Sequence, residues 1–206
     1  TYNDHCAVLY ENLVDFAREL LGVSEDAIDS SLINMKAKEE IYIEERGNED
    51  WIYLSTYYKA EKNIAEKLIE LREYKNINAI ENLDRKLKKI EKTQKIELSD
   101  KQKEAVKLVN DNNVCVITGG PGTGKTTIIK SIIDIYKEEE LKITLCAPTG
   151  RAAKRMTEAT GEEAKTLHRV LEIGKFASED EINPDLLVTP IDANVVIIDE
   201  ASMIDL

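Results

Sequence analysis

Long apolar runs are missing from this 206-residue chain. None approaches the roughly 18 residues needed to cross a bilayer, and no secretory signal pattern opens the sequence. Cysteine is scarce. Cys6, Cys115 and Cys146 lack metal-ligand spacing, and the last two lie inside apolar runs that read as strands. They read as small core residues of a cytoplasmic protein in a reducing compartment. A surplus of positive charge is absent too: 28 Lys and Arg stand against 40 Asp and Glu, a formal net charge of −12. That argues against holding nucleic acid by bulk electrostatics, though not against a local basic track. There is no internal repeat and no low-complexity tract. The chain starts at Thr1 without a methionine and stops at Leu206, so the expectation is a piece of a longer protein.

What is present is an ordinary globular share of apolar residues, 42%, enough for one large or two small domains. Apolar positions at Leu9, Leu13, Ala17, Leu20 and Leu21 form a helical stripe closed by Gly22. Ser24 is placed to cap a second helix carrying Ala27, Ile28, Leu32, Ile33 and Met35. Ile41–Glu44 and Trp51–Leu54 read as two strands around a turn containing Gly47 and Asn48. A third helix from about Tyr57 to Tyr74 carries Ala60, Ile64, Leu68 and Leu71 at helical spacing. Helix, helix, hairpin, helix is the order of a small winged-helix-like domain, placed at residues 1–75. Its second helix has only Lys36 and Lys38 as basic residues, followed by Glu39 and Glu40, which favours a scaffold over a DNA reader. Tyr42, Trp51 and Tyr53 at alternate strand positions suggest a core or interface face. Residues 76–97, with Ile80, Leu83, Leu87 and Ile90 spaced by three and four, read as an amphipathic connector helix. Its run Arg85-Lys86-Lys88-Lys89 reads as a solvated face that could also touch phosphate.

The third segment, residues 98–206, is organised around Gly119-Gly120-Pro121-Gly122-Thr123-Gly124-Lys125-Thr126-Thr127. Gly119, Gly124, Lys125 and Thr126 fit the phosphate-loop spacing G-x-x-x-x-G-K-[ST], with an apolar run, Val114–Ile117, read as the lead-in strand and a helix from Ile128 to Tyr136. Glycines let backbone N–H groups turn inward around phosphate oxygens, and the helix N-terminus adds partial positive charge. Lys125 would reach the β- and γ-phosphates of a nucleotide, and the Thr126 hydroxyl would hold Mg²⁺. Upstream, Ser99 and Gln102 have capping-box spacing, yet the Gln102 carboxamide could instead read adenine.

Downstream, a strand at Ile143–Ala147 ends in Pro148 and runs into Thr149-Gly150-Arg151-Ala152-Ala153-Lys154-Arg155-Met156. A threonine hydroxyl, free amides and basic side chains at a helix start make a phosphate site, against the alternative of an ordinary turn. Thr166 sits near the cap of another helix. His168 after it reads as a buried polar residue, a nucleic-acid contact or a catalytic base; without a companion His, Cys or carboxylate pattern a metal role is disfavoured. Residues 172–193, with Pro184 and Pro190, read as a surface excursion. Asn194–Met203 then reads as a strand buried on both faces, ending in Asp199-Glu200. Such an end opens at the crevice where parallel sheets bind ligand. Asp199 would sit near Mg²⁺, and Glu200 would orient and deprotonate the attacking water.

Four blocks in this order, Gly119–Thr127, Ala147–Met156, Thr166–Leu171 and Ile198–Met203, resemble those of RecD-like DNA helicases of superfamily 1, in the branch that moves 5′ to 3′ on single strands. The first hundred residues, including His5-Cys6 and Tyr53 to Leu68, look like the domain preceding the motor in long bacterial RecD-like proteins. The resemblance implies an α/β fold with a RecA-like P-loop motor domain and a parallel sheet, preceded by the mainly helical winged-helix-like domain. It implies an ATP-dependent helicase acting in repair or recombination. Gln102, Gly120, Pro121, Gly122, Thr123, Gly124, Lys125, Thr126 and Thr127 are the implied nucleotide contacts, Thr126 and Asp199 the Mg²⁺ ligands, and Lys125, Asp199 and Glu200 the catalytic set. Thr149, Gly150, Arg151, Thr166 and His168 are implied to lie along single-stranded DNA, and residues 1–97 to offer a surface for repair proteins. A Pif1-like helicase, a relaxase-type helicase or a scaffolding ATPase subunit are the alternatives. Helicases of this kind hydrolyse ATP between two RecA-like domains, and this chain carries one. The expectation is a chain that binds nucleotide, hydrolyses it feebly and does not unwind duplex. Residues 98–206 hold only Tyr136 and Phe176 as aromatics, so base-stacking platforms must lie elsewhere.

Overall fold

A computed structural model describes residues 6–76, 79–173 and 190–204. The chain divides into two compact units, one reaching to Glu70 and the other starting at Leu71.

The first unit begins with a short strand that periodicity does not announce, β1 (Ala7–Leu9). It continues through α1 (Tyr10–Leu21), α2 (Glu25–Ala37), β2 (Ile41–Arg46), β3 (Glu49–Leu54) and α3 (Ser55–Glu73). Gly22 ends α1 in the left-handed conformation, φ 66°, and its N–H donates to the Arg18 carbonyl. Ser24 stands at the start of α2 but makes no side-chain cap bond. The sheet is antiparallel in the order β1-β3-β2, with Arg46 opposite Glu49 across the two-residue turn. Val14, Ile28, Leu32, Ile41 and Ile52 form its core, each burial contributing about 1.5–3 kcal/mol. Tyr42 and Tyr53 pair across the hairpin. Tyr58 from α3 stacks on Tyr42 at 3.7 Å and meets Tyr53 edge-on at 5.4 Å. These rings pack on one another. The apolar stripe of α3 at Ile64, Leu68 and Leu71 is exposed.

The second unit contains α4 (Leu83–Gln94), α5 (Asp100–Asp111), α6 (Lys125–Glu138), β4 (Ile143–Ala147), α7 (Gly150–Thr160), β5 (Ala164–Thr166), α8 (Leu167–Val170) and β6 (Val195–Ile198). Its sheet is parallel, in the order β5-β4-β6. This is the α/β architecture that βαβ connections impose. The stretch read as a connector is not a free linker. Ile80, Leu87, Ile90 and Leu98 share one buried cluster with Val106, Ile128, Ile132, Ile135 and Tyr136, so α4 is part of this unit's core. Asn110, itself buried, locks the segment in place. Its Oδ1 accepts the Ile80 N–H at 2.7 Å, and its Nδ2 donates to the Ile80 carbonyl at 3.4 Å.

Two strand expectations need correction. Val114–Ile117 forms no strand, and Val116 is 85% exposed. A parallel strand exists only when its amides find a ladder, and among the described residues this run has none. Nor is β6 buried on both faces: Val196 and Ile198 are exposed while Val195 and Ile197 pack inward. With one face covered, the strand alternates despite its uniformly apolar sequence. Of the cysteines, Cys146 is fully buried and burial pushes its thiol pKa up. Cys115, expected in the core, is exposed because its run is not in the sheet. Most of the 172–193 excursion, with Pro184 and Phe176, lies outside the described residues.

Candidate functional site

The glycine-rich loop leads straight into α6. That helix is fixed by the burial of Ile128, Ile132, Ile133, Ile135 and Tyr136, so its N-terminus cannot drift. Gly122 and Gly124 take φ values of 75° and 83°, the region where a Cβ is strained. A Cβ on Gly119 would stand 2.7 Å from Thr123 Oγ1, and one on Gly124 2.3 Å from Gln102 Nε2. At Gly120 and Gly122 a Cβ would meet open space, so this side of the loop is accessible. Lys125 Nζ donates to the carbonyls of Gly119 at 2.5 Å and Gly120 at 2.9 Å, and the Thr123 hydroxyl donates to Gly120 at 3.0 Å. The ammonium thus clasps its own loop, beside the positive end of α6. Thr126 is exposed in the first turn.

Gln102 does what the capping-box spacing requires. Its Oε1 accepts the Ser99 N–H at 2.9 Å, and its own N–H donates to Ser99 Oγ at 3.4 Å. The other end of the same carboxamide, Nε2, reaches the Thr123 carbonyl at 3.4 Å. One side chain therefore closes a helix start and touches the phosphate loop, across 21 residues of sequence.

The remaining site residues gather at the carboxyl ends of the strands. The register sets Ala147 opposite Thr166 and Cys146 opposite Ile198, so β4, β5 and β6 end side by side. Thr149 caps α7, accepting the Ala152 N–H at 3.2 Å, and Thr166 caps α8, accepting the Arg169 N–H at 3.4 Å. A capping hydroxyl accepts with its oxygen and keeps its proton to donate. Gly150 starts α7; Arg151 and His168 are both exposed, which removes the buried reading of His168. The Asp199 N–H donates to the Cys146 carbonyl at 3.0 Å, and Asp199 Oδ1 accepts the Glu200 N–H at 3.0 Å. Glu200 stands in the left-handed region at φ 55°. Among the described residues no hydrogen bond or ion pair joins Asp199 or Glu200 to Lys125 or Thr126.

Reading by motif missed what brings α7 so close. Ala152 and Ala153, 8% and 4% exposed, pack on the fully buried Ala147, which lets the helix start lie against the strand end. The signal was available as three small residues flanking Pro148-Thr149. It also missed the Lys125 clasp, since backbone carbonyls leave no trace in a motif.

The profile of the AAA domain family matches residues 102–206, half of the chain. The chain belongs to the AAA domain family. It is also RecD-like. It is 39% identical to the RecBCD enzyme subunit RecD of Buchnera aphidicola subsp. Schizaphis graminum, over 76% of this chain and 28% of that protein. The ATP-dependent RecD2 DNA helicase of Deinococcus radiodurans is 34% identical over 92% of this chain and 24% of its own length. The RecBCD enzyme subunit RecD of Haemophilus influenzae is 34% identical over 55% of this chain and 21% of its own length. The chain spans about a quarter of the length of these curated relatives. In this AAA chain the loop fits a nucleotide on its own geometry: two left-handed glycines, an open backbone face and an ammonium beside a helix N-terminus. No helix among the described residues is long and apolar enough to cross a membrane.

Proposed function

We propose that the chain is the N-terminal part of an ATP-dependent, 5′-to-3′ DNA helicase, a cytoplasmic protein that binds ATP–Mg²⁺ and single-stranded DNA during repair or recombination. The observation that carries this reading is the pairing of two features. The Gly119–Thr127 loop is clasped by Lys125, and the strand ends of the same unit present Thr149 and Thr166 as caps whose hydroxyl protons can still donate. In this reading Lys125 exchanges the Gly119 and Gly120 carbonyls for phosphate oxygens. The loop from Gly120 to Thr127 lines the triphosphate with amides, and Gln102 faces the base. Thr126 and Asp199 would hold Mg²⁺, which would supply charge neutralisation at the phosphates. Glu200 orients and deprotonates the attacking water. Thr149, Gly150, Arg151, Thr166 and His168 contact the phosphates of the strand. The names of the relatives, a RecBCD subunit and an ATP-dependent DNA helicase, support it.

Residues 1–75 are proposed to be a winged-helix-like domain, supported by the helix pair before a hairpin and the β1-β3-β2 order. Its acidity supports protein docking over DNA reading, with repair proteins as partners. A second reading, a P-loop ATPase subunit acting as a scaffold, is favoured by the subunit named among the relatives. The deciding test is ATP turnover by the full-length protein with and without single-stranded DNA. Stimulation that is abolished by Lys125→Ala supports the motor; turnover that survives the substitution removes this loop from the catalytic site. Unwinding of duplexes tailed at either end reports the polarity.

A further inference from the structure

A groove of about 940 Å³ runs along α4 and the end of α6. It is distinct from the loop and the strand ends. Arg85, Lys86, Lys88, Lys89 and Lys92 line it, over two turns of α4. In a chain of net charge −12 such a concentration of cations runs against the average. Among the described residues the groove's carboxylates are Glu81, Glu138 and Glu139. Two of them are already neutralised. Lys89 holds Glu138 at 2.6 Å, and Lys86 pairs with both Glu138 and Glu139. Lys89 and Lys86 accordingly hold the Glu138 carboxyl below its usual range. Among the described residues, Arg85, Lys88 and Lys92 form no ion pair, and all three are exposed, although the Lys88 charge also helps hold the Asp84 and Glu91 carboxyls below their usual range. They follow one another at helical spacing of three and four. A rise of about 1.5 Å per residue sets their backbones roughly 5 Å apart along one edge of the groove.

We propose that this groove grips the sugar-phosphate backbone of duplex DNA. Three cations in a row at this spacing match the closely spaced phosphates of one strand, where counterion release supplies affinity. The choice of duplex over single strand rests on what the lining lacks. Among the described residues no aromatic side chain lines the groove. Single strands gain affinity beyond phosphate contacts by stacking their bases on aromatic rings, whereas a duplex hides its bases and offers only phosphates turned outward. A ring-free surface in which five cations outnumber three carboxylates suits the second. Choosing DNA at all rests on the proposed motor function; the α4 surface then adds a contact for the paired DNA, separate from the single-strand contacts at the strand ends.

The test uses the full-length protein with the triple variant Arg85→Ala, Lys88→Ala, Lys92→Ala. Binding to a blunt duplex and to oligo-dT is followed by anisotropy across a salt series. The expected result is a loss of duplex affinity of at least tenfold at low salt. The slope of log affinity against log salt should fall by about 3, one phosphate per side chain. Affinity for oligo-dT and DNA-stimulated ATP turnover should stay unchanged, which also shows that the variant is folded. Equal duplex binding by variant and parent overturns the proposal. So does an equal loss on oligo-dT, which would make the groove a single-strand site. Competition by polyglutamate as strong as by duplex at matched ionic strength, lost in the variant, would assign the groove to an acidic protein segment and also overturn it. A parent protein without DNA-stimulated turnover would sink the motor reading while leaving the duplex measurement interpretable.

Discussion

The side-chain amide of Gln102 occupies the space that a Cβ on Gly124 would need, 2.3 Å from its position. Gly124 is also at φ 83°. Two independent constraints therefore fall on one residue, one steric and one torsional. Gly124→Ala should destabilise the full-length protein by about 1–3 kcal/mol from backbone strain. Swinging Gln102 aside would break its bonds to Ser99 and Thr123. Removing that side chain as well, in Gly124→Ala with Gln102→Ala, should cost less than the sum of the two single changes, because the clash is gone while the strain remains. Thermal midpoints of the four proteins form the cycle; strict additivity would show that the two residues do not meet.

Gln102 itself divides into two separable duties. Glutamate keeps a capping oxygen at this position and loses the amide donor to Thr123. Gln102→Glu should leave the melting temperature nearly unchanged and relax discrimination between ATP and GTP. Ser99→Ala should do the reverse, losing about 1 kcal/mol of stability through the cap with nucleotide preference intact. Melting curves and nucleotide titrations of both variants decide it. Retained ATP preference in Gln102→Glu would assign the residue to the cap alone.

The same residue marks how far the sequence could be read. Spacing favours the cap for Gln102, and its place upstream of the phosphate loop shifts the reading toward adenine; the capping box is present in the structure, and both roles draw on one carboxamide. The loop and the helix starts at Thr149 and Thr166 were legible because each is a local pattern with a local cause, whereas Ala164–Thr166, read as part of a helix start, is the strand β5. The failures were non-local. Val114–Ile117 has strand composition and no ladder, and β6 has a uniformly apolar sequence with one face uncovered. Hydropathy records what a residue tolerates, not whether a neighbour arrives. The role of α4 was missed for the opposite reason. Its charged surface reads as a linker, and only the partners of Leu87 and Ile90 reveal a core helix.

Asn110 offers the sharpest test of that core role. It satisfies both the N–H and the carbonyl of Ile80 in a buried setting, and its own carbonyl accepts from Asn76 Nδ2 at 2.8 Å. Asn110→Ala leaves the Ile80 peptide groups unpaired and should cost about 2–4 kcal/mol. Asn110→Asp retains an acceptor for the Ile80 N–H but buries a charge and loses the donor, and should be no better. Hydrogen exchange should speed at Ile80 before it speeds in α7. Unchanged protection at Ile80 would mean that the segment is held by Leu87 and Ile90 alone.

Glu91 makes a pH-dependent brace between α4 and α5. Its Oε1 accepts the Leu98 N–H at 2.9 Å and lies 2.9 Å from Lys103 Nζ. The Leu98 N–H first, and Lys103 next, hold its carboxyl below the usual glutamate value of 4.5. A folded value below the unfolded one means that the ionised group stabilises the fold at every pH above the unfolded value. That contribution fades as pH falls from about 4.5 through the folded value and is gone below it. Glu91→Gln keeps an oxygen for Leu98 and removes the charge. It should therefore melt below the parent at pH 7, with the gap narrowing as pH drops into the acid window. Melting temperatures of both proteins between pH 3 and 7 measure this. A gap that stays constant across that range would show that the brace works by its hydrogen bond to Leu98 and not by its charge.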